Sequence, residues 1–224
     1  KLKRIRNLNP DEIFDQASTI NLQSKFYYNR PISNIVFMGM GEPLLNYINL
    51  IEGINKITSK DGLGMSPKRI TVSTSGISKL IIKMADENVK FNLAVSLHSA
   101  VEKTRNKIMP FTIKFPLTDL KEAIKYWYNK TQKIVTYEYI VWKGINDDMN
   151  HINALVDFCK SSPSKVNIIE YNKTSNDFFI SADDSIIKKY IEELESNRIP
   201  VTIRKSRGKD IDAACGQLAN KLKQ

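Results

Sequence analysis

The chain has 224 residues, 42% of them hydrophobic, which suits one compact domain burying roughly 70–75% of its extended-chain surface and leaves little for a second full domain. Its 34 Lys and Arg against 24 Asp and Glu give a formal charge of +10, which points to a polyanion such as nucleic acid; the alternative is a lysine-rich composition with no such partner. No apolar run approaches the roughly 20 residues of a membrane helix and no stretch reads as a signal-peptide core, so no membrane association is expected.

Two cysteines, Cys159 and Cys215, allow one disulfide at most and form no closely spaced metal-ligand pair, so a reducing cytoplasm is the expected location. The sequence begins with Lys, which reads as a fragment, a processed product or a trimmed chain.

Helical patterns are predicted over Pro10–Tyr28, Asn46–Lys60, Ser78–Asn88, Leu117–Asn129, Met149–Lys160 and Asp184–Asn197, with Asp, Asn or Ser near several starts. Strand-like runs alternate with them at Asn34–Met38, Arg69–Ser73, Asn92–Leu97, Ile134–Trp142, Val166–Tyr171 and Val201–Arg204. Alternation of this kind predicts parallel βα units, and apolar runs such as Leu-Ala-Val-Ser-Leu suit strands covered on both faces. The expected fold is therefore α/β, a parallel sheet or part of a barrel. The chain opens on a helix, so the strand that should precede it is expected to be missing, leaving an unpaired edge on the strand that begins at Asn34.

Ligands of parallel α/β proteins gather at the carboxyl ends of the strands. The first run ends Phe37-Met38-Gly39-Met40-Gly41-Glu42-Pro43, where glycines allow close backbone approach and Glu42 offers a carboxylate to an amine; a glycine turn with a solvated Glu is the plainer reading. The second ends Ser73-Thr74-Ser75-Gly76 and the third Ser96-Leu97-His98-Ser99. Each serine cluster alone also reads as a turn or cap, and His98 alone as a structural histidine. Asn172 follows Val166–Tyr171 at the same level, and four strand ends carrying small polar groups predict a small-molecule pocket.

In the tail, Gly208 to Gln217, Asp212 is a candidate N-cap for a helix from Ala213 toward Lys221, which sets Cys215 in a first turn where the helix dipole favours thiolate. Neighbouring carboxylates act the other way, and a small buried cysteine is the competing reading. Cys159 lies on the apolar face of Asn153–Cys159, where a buried thiol is ordinary. Two basic clusters, Lys1, Lys3, Arg4 and Arg6, and Arg204, Lys205, Arg207 and Lys209, read either as nucleic-acid phosphate contacts or as solvated charged edges.

The ordered succession of Phe37 to Asn46, Ser73 to Gly76, Ser96 to His98, Gly144-Ile145-Asn146-Asp147 and Asp210 to Gln217 is similar to the RlmN/Cfr family. Its members are radical S-adenosylmethionine methyltransferases acting on adenosine in large-subunit ribosomal RNA, and the match runs from about Arg4 to the C-terminus. The resemblance implies a partial (βα)6 barrel lacking its first strand, one radical S-adenosylmethionine domain over 1–224, and a C-terminal strand and tail over 200–224. It implies that Gly41 and Glu42 bind the methionine amine of S-adenosylmethionine and that Ser73, Ser96, Leu97, His98 and Asn172 make further contacts with it. Cys215 matches the cysteine that carries the methyl group to the RNA base, which a second, upstream cysteine then resolves through a disulfide. A 4Fe-4S cluster fed by an electron donor generates the radical in such enzymes.

The implied substrates are 23S rRNA, with adenine C2 favoured over C8 by the Ser73 to Gly76 segment, and transfer RNA; a monomer is expected. The Cys-x-x-x-Cys-x-x-Cys run that holds the family's cluster does not occur between Lys1 and Gln224, so no metal ligand is expected in this chain and the chain alone is expected to be an inactive portion of the enzyme. Lys79, Glu170 and Lys173 stand where the family often has prolines. A noncatalytic RNA- or nucleotide-binding module derived from the family is the alternative function, and an unrelated barrel enzyme using His98 as a base a more distant one.

Overall fold

A computed structural model describes residues 5–38, 41–172 and 179–205. In chain order it holds α1 (Pro10–Tyr28), β1 (Ile35–Phe37), α2 (Tyr47–Thr58), β2 (Ile70–Thr74), α3 (Ser78–Asp86), β3 (Asn92–Ser96), α4 (Glu102–Ile108), α5 (Leu117–Thr131), β4 (Val135–Tyr139), α6 (Met149–Cys159), β5 (Ser164–Ile169), α7 (Asp184–Ser196) and β6 (Val201–Arg204). The strands form one sheet in the order β1-β2-β3-β4-β5-β6, an α/β fold wound without a change of direction. Registers are parallel, with Ile35 opposite Ile70, Tyr137 opposite Val166 and Val166 opposite Val201. Among the described strands β1 forms one edge of the sheet. No described helix is long and apolar enough to cross a membrane.

Helix α1 and strand β6 occupy the spans expected for them. The start of α1 is written in its first residues: Asn9 Oδ1 accepts from the Glu12 amide, Glu12 accepts from the Asn9 amide, and Pro10 fills the first position. The run Ile134–Trp142 does not remain one strand, because β4 stops at Tyr139. Beyond it the Ile140 amide turns to a side chain, Nδ1 of His98, and Trp142 makes an isolated antiparallel bridge to Ser181. Helix α4 was not predicted: its seven residues carry no apolar stripe and its one buried side chain is Arg105.

The chain divides into two compact units, Lys1–Thr74 with Val89–Ala94, and Ser75–Asn88 with Val95–Gln224. In the first, Leu50, Ile54 and Ile57 of α2 are buried, and Gly53 lets α1 come close: a β-carbon there would lie 2.6 Å from a methyl of Ile13. In the second, α3 and α5 pack through Ile81, Met84, Leu120, Ile124 and Trp127, all fully buried. Tyr137 and Tyr139 of β4 meet Phe158 of α6 and Tyr190 of α7, with ring centroids 5.4 and 5.5 Å apart. That fixes which face of β4 the helices cover, and alternation along the strand puts Glu138 on the other.

Candidate active site

In the first unit the segment after β1 is organised around Glu42. Its extended backbone caps the 3-10 turn Pro43–Asn46, and its Oε1 accepts from the Leu44 amide at 3.0 Å and from the Thr74 hydroxyl at 2.7 Å. Thr74 is the last residue of β2, so a strand end aims the carboxylate. A carboxylate held by two donors keeps its orientation while acting only as an acceptor, the chemistry an ammonium group requires. What Gly41 provides is clearance, since a β-carbon there would meet nothing within 4 Å. Ser73 is buried at the end of the same strand, and Gly39 lies outside the described residues.

In the second unit Ser96, Leu97 and His98 follow one another at the end of β3. The amides of Leu97 and His98 both donate to the Glu138 carbonyl, at 3.0 and 3.3 Å, which turns the chain and leaves His98 in the left-handed region at φ 53°. Asn146, fully buried, maintains that turn: its Nδ2 donates to the carbonyls of His98 (2.7 Å) and Ile140 (2.9 Å), and its Oδ1 accepts from the Trp142 amide (2.7 Å). The Tyr190 hydroxyl closes the network on the Asn146 carbonyl at 2.5 Å.

His98 Nδ1 accepts the Ile140 amide at 3.2 Å, so the neutral ring carries its proton on Nε2. Burial, with Arg105 adding repulsion, pushes its pKa down to about 3. The ring can therefore donate from Nε2 to a ligand acceptor, but its one lone pair is committed, which argues against the general-base reading. Its ring meets that of Trp142, centroids 5.7 Å apart.

Arg105 is 1% exposed and its Nη2 donates to the Ser75 carbonyl at 2.5 Å and, more weakly, to that of Ser96 at 3.4 Å. It thus holds the loop that follows β2 against the end of β3. Burial lowers its pKa to about 10, a shift that nearby Glu102 opposes. Asn172 is buried two residues beyond Glu170. The Glu170 amide donates to the Arg204 carbonyl at 3.1 Å, a bond that a proline at this position would lack.

The predicted basic clusters are partly engaged. Arg6 is bidentate to Glu12 at 2.7 and 2.5 Å, and Arg204 lies 3.7 Å from buried Glu138. Lys205 is exposed. Lys1, Lys3, Arg4, Lys173, Arg207, Lys209, Asp212 and Cys215 lie outside the described residues. Cys159 is buried near the end of α6, and burial pushes its thiol up to about 12. Among the described residues no group of three His, Cys, Asp or Glu could hold a metal ion.

Thr74, Arg105, Glu138 and Asn146 are the residues that sequence reasoning left without a role. Asn146 stands within the Gly144 to Asp147 motif and Thr74 within the Ser73 to Gly76 strand end, each without a role of its own; Arg105 and Glu138 gave no local signal.

No protein-family model matches the chain. The chain is 65% identical over 221 residues, 99% of its own length and 64% of the relative's, to a probable dual-specificity RNA methyltransferase RlmN of Flavobacterium psychrophilum. The corresponding protein of Cytophaga hutchinsonii is 48% identical over 98% of this chain and 60% of its own. The chain thus spans about 60–64% of the length of these curated relatives. Among solved structures, a radical SAM methyltransferase from Sphaerobacter thermophilus superposes with a TM-score of 0.91 at 33% identity, covering 95% of this chain and 62% of that one. A domain of pyruvate-formate lyase-activating enzyme from Bacteroides vulgatus shares the fold, with a TM-score of 0.59 at 18% identity over 77% of this chain and 99% of that one.

Proposed function

Because this chain belongs to the RlmN family over the length it spans, we propose that the protein it represents is an S-adenosylmethionine-dependent RNA methyltransferase of the radical type. The proposed substrate is adenosine in 23S rRNA, methylated at C2, with transfer RNA as a second substrate. The observation that carries this reading is the 65% identity over 221 residues to a protein named as a dual-specificity RNA methyltransferase.

Chain chemistry supports the cofactor. Glu42, oriented by Thr74 and the Leu44 amide beside the clearance at Gly41, suits the methionine ammonium, and Ser73 adds a hydroxyl. Ser96, Leu97, His98 and Asn172 are proposed as further contacts, His98 through its Nε2 proton. Bound S-adenosylmethionine supplies the methyl group. Cys215 is proposed to carry it, and Arg204, Lys205 and Arg207 to meet RNA phosphates, Arg204 least freely because of its proximity to Glu138.

The residues of this sequence do not fit a 4Fe-4S cluster. Two cysteines cannot provide three thiolates, and Cys159 is buried in its protonated form. Cluster ligands and the electron donor that serves the cluster therefore lie beyond these 224 residues in this reading, no step is derived through the cluster, and the chain alone is proposed to be inactive.

The test supplies the intact protein, anaerobically, with methyl-labelled S-adenosylmethionine, reductant and either a 23S rRNA fragment or transfer RNA, followed by mass spectrometry of the digested nucleosides. The expected product is C2-methyladenosine in both RNAs. Absence of any methylated nucleoside, with RNA binding intact, would instead support the noncatalytic binding module.

A further inference from the structure

On the face of the sheet away from α6 and α7, three strands present polar side chains in register. Glu138 of β4 lies opposite Asn167 of β5, which lies opposite Thr202 of β6. Asn167 Nδ2 donates to Glu138 Oε1 at 3.1 Å, and the Thr202 hydroxyl donates to Asn167 Oδ1 at 2.7 Å. Glu138 is 5% exposed and its Oε2 is buried without a hydrogen-bond partner among the described residues. Arg204 reaches back from β6 to within 3.7 Å of Oε1. Burial raises the Glu138 pKa, which the Asn167 hydrogen bond and the charges of Arg204 and Lys165 oppose.

The consequence falls on Asn167. A planar amide has two N–H groups and two oxygen lone pairs. Here the nitrogen is turned toward β4 and the oxygen toward β6, each bonding a flanking strand. The remaining N–H and the remaining lone pair then lie side by side between those flanks, directed away from the sheet. Asn167 is partly exposed, so this pair is within reach of a ligand. A donor beside an acceptor on one amide is the complement of adenine, which presents an N6 amino group next to a ring nitrogen; inosine and guanine place a carbonyl at position 6 and mismatch the amide oxygen.

We infer that Asn167, locked by Glu138 and Thr202, is a specificity residue whose amide reads the edge of an adenine. This rests on the methyltransferase reading, which brings two adenines to the protein: the adenosyl group of the cofactor and the target base of the RNA. The chemistry is common to both, and measurement separates them.

The experiment measures, with the intact protein, affinity for S-adenosylhomocysteine against S-inosylhomocysteine, and for an RNA hairpin with one unpaired adenosine against the same hairpin with inosine. A bidentate contact is worth about 1–3 kcal/mol, so wild type should prefer the adenine form roughly 5- to 150-fold in one arm, and Asn167→Ala should erase that preference. A lost preference in the S-adenosylhomocysteine arm assigns the amide to the cofactor, and one lost in the hairpin arm assigns it to the RNA base. Thr202→Val, at an exposed position that leaves the core untouched, releases the amide oxygen and should reduce the same preference with folding intact. If Asn167→Ala and Thr202→Val both keep the full wild-type preference in both arms, the inference is overturned while the proposed function stands. A wild type that binds neither S-adenosylhomocysteine nor RNA overturns both.

Discussion

At the scale of single residues, His98 shows how backbone and side chain set one another's chemistry. Its left-handed φ is maintained by Asn146 and the Glu138 carbonyl, and its Nδ1 is tied to the Ile140 amide. The folded pKa, about 3, lies below the roughly 6.5 of an unfolded histidine, so between these values the unfolded chain binds a proton that the folded chain refuses. Stability from this group is present above pH about 6.5 and is lost as pH falls toward 3. Asparagine tolerates the left-handed conformation and offers Oδ1 where Nδ1 accepts, without titrating. His98→Asn should therefore unfold at nearly the wild-type urea concentration at pH 7 and show a smaller drop between pH 7 and pH 4.5. An equal drop in both proteins would place the acid sensitivity elsewhere.

Residue-level legibility was uneven for a physical reason. Glu42, Ser73 and His98 are visible because small and polar residues interrupt apolar runs at strand ends. Asn146 acts on a carbonyl 48 positions away, and Arg105 on one 30 positions away, so neither leaves a local pattern.

Among the elements, the loop after β2 is constrained by its backbone and by its packing at once. Gly76 has φ 100°, and a β-carbon there would lie 3.1 Å from both methyls of Leu120 and 3.4 Å from Arg105 Nη2. Any side chain at Gly76 meets backbone strain and a packed leucine together. Gly76→Ala should cost on the order of 1–3 kcal/mol, read as a shift in urea midpoint at unchanged slope. A shift below about 0.5 kcal/mol would show that the loop relaxes freely.

The alternation of strands and helices was legible because apolar periodicity survives wherever helices cover the sheet. Helix α4 was not, since it is short and its buried residue is a cation held by backbone carbonyls. Strand β4 was overextended because Ile140, Val141 and Trp142 read as strand, whereas the Ile140 amide is taken by an imidazole. Composition and periodicity do not encode that competition.

For the whole molecule, the sequential parallel sheet and the likeness to relatives over nearly the full chain make the fold secure from either direction. The proposed function rests on a contrast between two thiols. Cys159 is buried and held protonated, chemically an apolar side chain, whereas Cys215 lies beyond the described residues and takes its proposed role from the tail motif. The most direct measurement is peptide mass spectrometry of the intact protein after anaerobic turnover with methyl-labelled S-adenosylmethionine in the absence of RNA. One labelled methyl group on the Cys215 peptide and none on the Cys159 peptide is the predicted result. An unlabelled Cys215 in a preparation that still methylates added RNA would contradict a methyl group carried on that thiol.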